Sequence, residues 1–304
     1  TVVGKDAATA NTTGDGMTAM GFGALANNTT AANNTAVGYI SMISNTTGAN
    51  NTAVGSLSLD ANTTGASNTA IGKQALTAST TGSFNTAVGT GSLASATTAS
   101  NNTAVGYDSL VANTTGAANV AVGKSALYGN TTASDNTAIG DSAQADNTTG
   151  TANSSLGKRA LKSNTTANNN VAVGYHSLEE NTTGAENTAL GSSCLETQTT
   201  AGSNVGVGYA AGSSVTTGGV NTLIGAFAGD KLTTGGGNTL IGYQAGTYQS
   251  AELTTGGSNC ILGAYSTTTA ADTGGANGMG YNIDCEAGYT TLGTGGDDIR
   301  AAHG

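Results

Sequence analysis

The sequence predicts an all-β chain, a parallel β-solenoid with 17-residue coils, and three observations lead there. The first is repetition: NTAVGYISMISNTTGAN, Asn34 to Asn50, is followed at once by its near copy NTAVGSLSLDANTTGAS, Asn51 to Ser67. The second is spacing. The glycine closing each NTAVG-like word recurs every 17 residues from Gly4, Gly21 and Gly38 to Gly208, Gly225 and Gly242, with no insertion or deletion. The third is residue type: 48 Gly, no Pro or Trp, and a bulk of Thr, Asn and Ala punctuated by β-branched residues oppose helix and suit short strands between turns.

Unvarying spacing excludes a string of independent beads, whose linkers would tolerate changes of length cheaply. It fits units stacked in register, where no unit can bury its own apolar face alone. Seventeen residues are too few for a helical hairpin repeat, which needs about 33 or more. Each coil then reads as a short strand at NTAV, a corner at Gly, a second strand through the AL or SL word, and another corner near NTTG.

Two aliphatic rows are expected to form the core. One stands just before the anchor glycine (Val37, Val54, Ile71, Val88) and the other four residues after it (Leu25, Met42, Leu59, Leu76), with Gln144 an exception in the second row. Positions between them, such as Ile40, Leu57, Gln74 and Asp108, vary and should face out. Seven after the glycine come Asn11, Asn28, Asn45 and Asn62, then Ser79 and Ala96, then Asn113, Asn130, Asn147, Asn164 and Asn181, with Gln198 next. Stacked amides there can bond one another along the axis. The same Asn-Thr-Thr words also match the glycosylation sequon.

Three segments follow from changes in this pattern. Residues 1–203 carry regular coils with NTTG corners. Residues 204–281 carry variant coils with TTGG corners and a four-residue insertion around 247–250. Residues 282–304, where the repeat is lost, read as a C-terminal cap or stalk. A start at Thr1 rather than Met reads as processing or as a fragment of something longer.

Composition narrows function. Eight Lys and Arg face 18 Asp and Glu, a net charge of −10 without any basic run, so no nucleic-acid footprint is present. No apolar stretch approaches the roughly 18 to 20 residues that would insert into a bilayer. The sequence contains no GxSxG, HExxH or P-loop motif, and the adjacent Glu179 and Glu180 read as a solvated turn. The chain is therefore expected to be no enzyme and to use no cofactor or metal. Cys194, Cys260 and Cys285 lie in unrelated contexts and read as buried or half-buried thiols, and His176 and His303 as exposed, uninvolved imidazoles. Directly after the anchor glycine stand Phe22, Tyr39, Tyr107, Tyr175, Tyr209 and Tyr243. This candidate contact row suits carbohydrate or protein partners, or packing against a neighbouring chain. Lys5, Lys73, Lys124 and Lys158 share it and discourage edge-to-edge aggregation.

The words NTAVGYxSL and NTAIGKxAL resemble the SVAIG-type words of trimeric autotransporter adhesin heads, over about residues 1–280. That resemblance implies β-rolls packed side by side as a homotrimer. NTAVG words alternating with NTTG corners also resemble repeats of phage tail-fibre proteins. GYTTLGTGGDDIRAAHG, Gly288 to Gly304, is similar to segments just upstream of the intramolecular chaperone autoprotease domain of phage tail spikes and fibres, a domain that trimerises the fibre and then cuts itself off. The resemblances imply an extracellular structural and adhesive fibre, on a virion tail or a cell-surface appendage. It would assemble with itself and present a surface to a host carbohydrate or protein receptor. Alternatives are a glycosylated microbial surface filament or adhesin, an ice-binding solenoid and a polysaccharide-degrading tailspike. The adjacent Thr pair of each NTT points to opposite sides, which counts against an ice-binding Thr face there.

Overall fold

The computed structural model describes residues 1–248, 252–295 and 298–303. The chain is all-β, with no helix among the described residues, and winds a parallel β-solenoid of about 17 turns with 17-residue coils. Its contacts divide it into two units, 1–153 and 154–304.

The first unit holds β1 (Val2–Val3), β2 (Thr18–Met20), β3 (Thr35–Val37), β4 (Thr52–Val54), β5 (Thr69–Ile71), β6 (Thr86–Val88), β7 (Thr103–Val105), β8 (Val120–Val122) and β9 (Thr137–Ile139). Each strand pairs in parallel with the next, and equivalent residues lie opposite one another: Thr35 faces Thr52, Ala36 faces Ala53, and Val37 faces Val54. Register is thus fixed by identity, coil upon coil.

The three residues of a strand alternate in direction, and it is the middle one that points inward. Ala36, Ala53, Ala70 and Ala87 are fully buried, whereas Val37 and Val54 are half-exposed and Ile71 is 40% exposed. The expected core row before the glycine is therefore corrected: those aliphatics face out. The physical reason is lumen width. The second expected row, Leu25, Met42, Leu59, Leu76, Leu93, Leu110 and Leu127, is fully buried and fills the interior, leaving room for only Ala on the facing strand.

The AL or SL word is also corrected, because it forms turns rather than a second strand. Its backbone alternates in hand: Ile40 and Met42 have φ of 45° and 52°, Leu57 and Leu59 of 59° and 50°. This alternation turns successive amides toward opposite neighbours. The Ile40 N–H donates to Phe22 O of the preceding coil at 2.8 Å, and the Met42 N–H to Ser58 O of the following coil at 3.0 Å. Left-handed non-glycine residues cost roughly 1–2 kcal/mol each, offset here by leucine burial and inter-coil bonds. At the anchor only glycine fits. Gly38 has φ 145°, and a Cβ added there would collide with the Gly55 carbonyl.

The second unit holds β10 (Ser154–Leu156), β11 (Val171–Val173), β12 (Thr188–Leu190), β13 (Val205–Val207), β14 (Thr222–Ile224), β15 (Thr239–Ile241), β16 (Cys260–Leu262), β17 (Thr267–Thr268), β18 (Asn277–Tyr281), β19 (Asp284–Cys285), β20 (Tyr289–Thr294) and β21 (Ile299–Ala302). Past residue 204 the core exchanges large for small. Leucine leaves the turn, where Gly212, Gly229 and Gly246 now stand, and enters the strand as Leu223 and Leu240, followed by Ile261. A Cβ on Gly229 would meet Leu223 and Leu240, so the two changes fit one volume. Val215, Leu232 and Leu253, all fully buried, replace the amide row. The expected insertion at 247–250 runs into residues outside those described. At the end, β17 pairs with β19 as a short second sheet, and β21 runs antiparallel along β20, covering that edge.

Candidate functional site

The asparagines seven after each anchor form hydrogen-bonded ladders. In the first, Asn28 Nδ2 donates to Asn11 Oδ1 at 3.1 Å, Asn45 to Asn28 at 2.8 Å, and Asn62 to Asn45 at 2.8 Å. A second joins Asn130 to Asn113 and Asn147 to Asn130, both at 2.9 Å. In the other unit Asn181 donates to Asn164 at 3.2 Å. Each amide also closes its own corner, as Asn45 Nδ2 does on Gly48 O at 3.0 Å. All of these but Asn11 are fully buried. A glycan on such a nitrogen would displace one of its hydrogen bonds and would need space that the closed coil lacks.

A further amide row escaped the sequence reading. Asn34, Asn51, Asn68 and Asn85, which open the NTAV word, are also buried. The Asn51 N–H donates to Asn34 Oδ1 at 2.9 Å, while Asn34 Nδ2 reaches Gly48 O at 2.8 Å. The signal was the Asn at that place in nearly every coil, next to a strand whose backbone needs terminating partners.

The candidate aromatic row lies on the surface. Tyr39, Tyr107, Tyr175, Tyr209 and Tyr243 are between 43% and 55% exposed. Their neighbourhoods differ. Tyr39 stacks on Phe22 with centroids 5.6 Å apart, and Tyr175 stacks on His176 at 3.6 Å. Asp108 beside Tyr107 holds that phenol above its ordinary range by a hydrogen bond. Of these, Tyr209 and Tyr243 share a continuous strip with three further rings: Phe227 lies 5.2 Å from Tyr209 and 6.1 Å from Tyr243, Tyr265 lies 5.2 Å from Tyr243, and Tyr281, directly after Gly280, lies 5.6 Å from Tyr265. Tyr248 packs on Tyr265 at 4.7 Å. Phe227 and Tyr265 stand two residues after their anchors instead of one, which is why a single-row reading passed over them.

The outward sheet face is the other extended surface. In the first unit, from β2 to β9, its positions are Thr, Val, Ile or Met, and in the second, from β10 to β16, they are Thr, Val, Ile, Leu, Ser or Cys; none carries charge. A shallow apolar hollow of about 140 Å³ opens on it between Cys260, Leu262, Met279 and Leu292.

Two expectations about ionisable groups are corrected. Glu179 is buried, 3% exposed, and His176 is half-buried rather than uninvolved. Arg159 pairs with Glu179 Oε1, while His176 Nδ1 lies 2.9 Å from Glu179 Oε2 and 3.5 Å from Glu196 Oε1. The repeat brings them together: Arg159 and His176 occupy the same place in successive coils, as do Glu179 and Glu196. Aligning the coils would have shown it; reading Glu179 with its chain neighbour Glu180 hid it. Cys194 and Cys285 are buried, Cys260 partly so, and burial pushes the Cys194 thiol up to about 12.

Fold and surfaces together define a β-solenoid repeat protein with a buried amide spine and an exposed aromatic strip. Comparison of the chain with protein families, with characterised proteins and with solved structures finds no match.

Proposed function

We propose that this chain is a structural and adhesive fibre element of a phage tail or another extracellular appendage, with the coils as rigid scaffold and non-repeating surface residues as the contact. The observation that carries the reading is the strip Tyr209, Phe227, Tyr243, Tyr265 and Tyr281, in which each ring touches the next while Tyr209, Tyr243 and Tyr281 stay 43% to 57% exposed. Aromatic rings held by a stiff backbone offer apolar area at little entropic cost, and a polar hydroxyl tip besides. A strip one residue wide and several coils long suits an extended partner, and we assign it to surface carbohydrate. Weak contacts repeated along a fibre gain by avidity.

The aliphatic row of the uncharged outward sheet face, such as Val37, Val54, Ile71 and Val88, supports side-by-side packing of three chains, since a contiguous apolar row marks an interaction site. Light scattering then gives a particle of three times 29.2 kDa. Adhesion is tested by binding the full chain to a panel of microbial cells and purified surface polysaccharides. The expected result is saturable binding that falls at least tenfold in a Phe227→Ala, Tyr243→Ala double variant with unchanged circular dichroism. Equal binding by the variant, or no binding by the wild type, removes the proposal. A mass well above 29.2 kDa for the natural protein would favour the glycosylated filament instead.

One observation favours a second reading. Regular Thr does occur on one face, on the strand rather than in NTT: Thr35, Thr52, Thr69, Thr86 and Thr103 lie in register with Val or Ile two residues on. Such an array of hydroxyls and methyls at one strand spacing suits an ordered water lattice. Thermal hysteresis at micromolar protein would support it; its absence would end it.

A further inference from the structure

The geometry points to a binding site for one divalent transition cation, of the Zn²⁺ type, formed by His176, Glu179 and Glu196 and joining two adjacent coils. Their ligand atoms all lie within 4.8 Å of one another. Two carboxylates converge on one ring nitrogen, His176 Nδ1, at 2.9 Å and 3.5 Å. A single N–H can donate well to only one of them, and 3.5 Å is long for a hydrogen bond. A cation can satisfy all three. At metal–ligand distances of about 2.1 Å in tetrahedral geometry, ligand atoms stand about 3.4 Å apart, in the range of the 2.9 Å and 3.5 Å found at Nδ1.

The surroundings suit the assignment. The Glu179 carboxylate can only accept, so without metal it holds the ring proton on Nδ1; a cation takes that proton's place, and the proton moves to Nε2, which no other group engages. Arg159 holds the other oxygen of Glu179, Oε1, and so orients Oε2 toward the site, the part played by an outer-shell partner. The Tyr175 ring covers the imidazole. With neutral histidine, Arg159, Glu179 and Glu196 sum to one negative charge, which favours a cation. Glu196 is 31% exposed and His176 16%, leaving an entry path and an open position for water or a fourth ligand. Nitrogen with carboxylate oxygen favours Zn²⁺ and its neighbours over Ca²⁺ or Mg²⁺, which take oxygen alone.

Only two histidines are present, so the site can be read directly. Metal-free full-length chain is titrated with ZnCl₂ by calorimetry and by NMR of the imidazole ring signals. The site predicts one Zn²⁺ per chain and shifted His176 signals. It also predicts at least tenfold weaker binding in His176→Ala and in Glu196→Gln, a change of equal size at a half-buried side chain that spares the fold. A folded Glu196→Gln variant with wild-type affinity overturns the proposal, as do unmoved His176 signals at saturating Zn²⁺. Uptake only at millimolar metal overturns it as well.

Discussion

At Asn62 the first amide ladder stops. Its Oδ1 is buried with no donor, because the next coil places Ser79 there and the one after places Ala96; the Ser79 hydroxyl is likewise without a partner. Ser79→Asn alone moves the orphan carbonyl one coil along, so little stability is gained. Ser79→Asn with Ala96→Asn joins Asn62 to Asn113 through three new amide bonds, and at about 1 kcal/mol each the pair should stabilise by about 2–3 kcal/mol in urea unfolding. Strain gives a second prediction. Val220 is β-branched, left-handed at φ 61° and 68% exposed, while the same place in other coils holds Asn33, Asn50 or Asn101. Val220→Asn should stabilise by about 1 kcal/mol, since Asn tolerates this conformation and little packing is lost. The sequence showed the amide row plainly because identical residues at identical spacing imply stacking. The cluster of Arg159, His176, Glu179 and Glu196 was hidden because each stands at a position that varies from coil to coil, and its partners lie one coil away.

At the scale of the coil, the period and the leucine row were legible, but the direction of the strand was not. Val37 outscores Ala36 in hydrophobicity, and only the width of the lumen decides that Ala goes in. Left-handed Leu59 was equally beyond propensity, which opposes that conformation. The exchange of Leu for Gly past residue 204 can be tested by coupling. Leu223→Ala should cost about 2–5 kcal/mol, and Gly212→Leu should destabilise by overpacking, because a Cβ there already meets Leu223 and Leu195. Together they restore the earlier coil pattern, so the double variant should lose clearly less than the sum. Cys194, in the buried small-residue row, ties its coil to pH. Burial raises its thiol from 9.0 to about 12, so the unfolded chain releases that proton first. Its stabilising effect is complete below about pH 9 and is lost as pH rises toward 12. The stability difference between wild type and Cys194→Ala should therefore fall by roughly 2–3 kcal/mol from pH 8 to pH 11 in urea titrations.

For the whole chain, the repeated residues are scaffold and the exceptions are where chemistry gathers. Fold class was readable because every coil states it again; function was not, since the aromatic strip and the charged cluster arise from contacts between coils. Buried amides tie coil to coil, and side-chain hydrogen exchange measures these directly. Asn45, Asn62 and Asn130 are predicted to keep their Nδ2 protons orders of magnitude longer than exposed Asn33 and Asn50, because exchange requires the stack to open. Equal, fast exchange at both sets would contradict the stacked-amide solenoid.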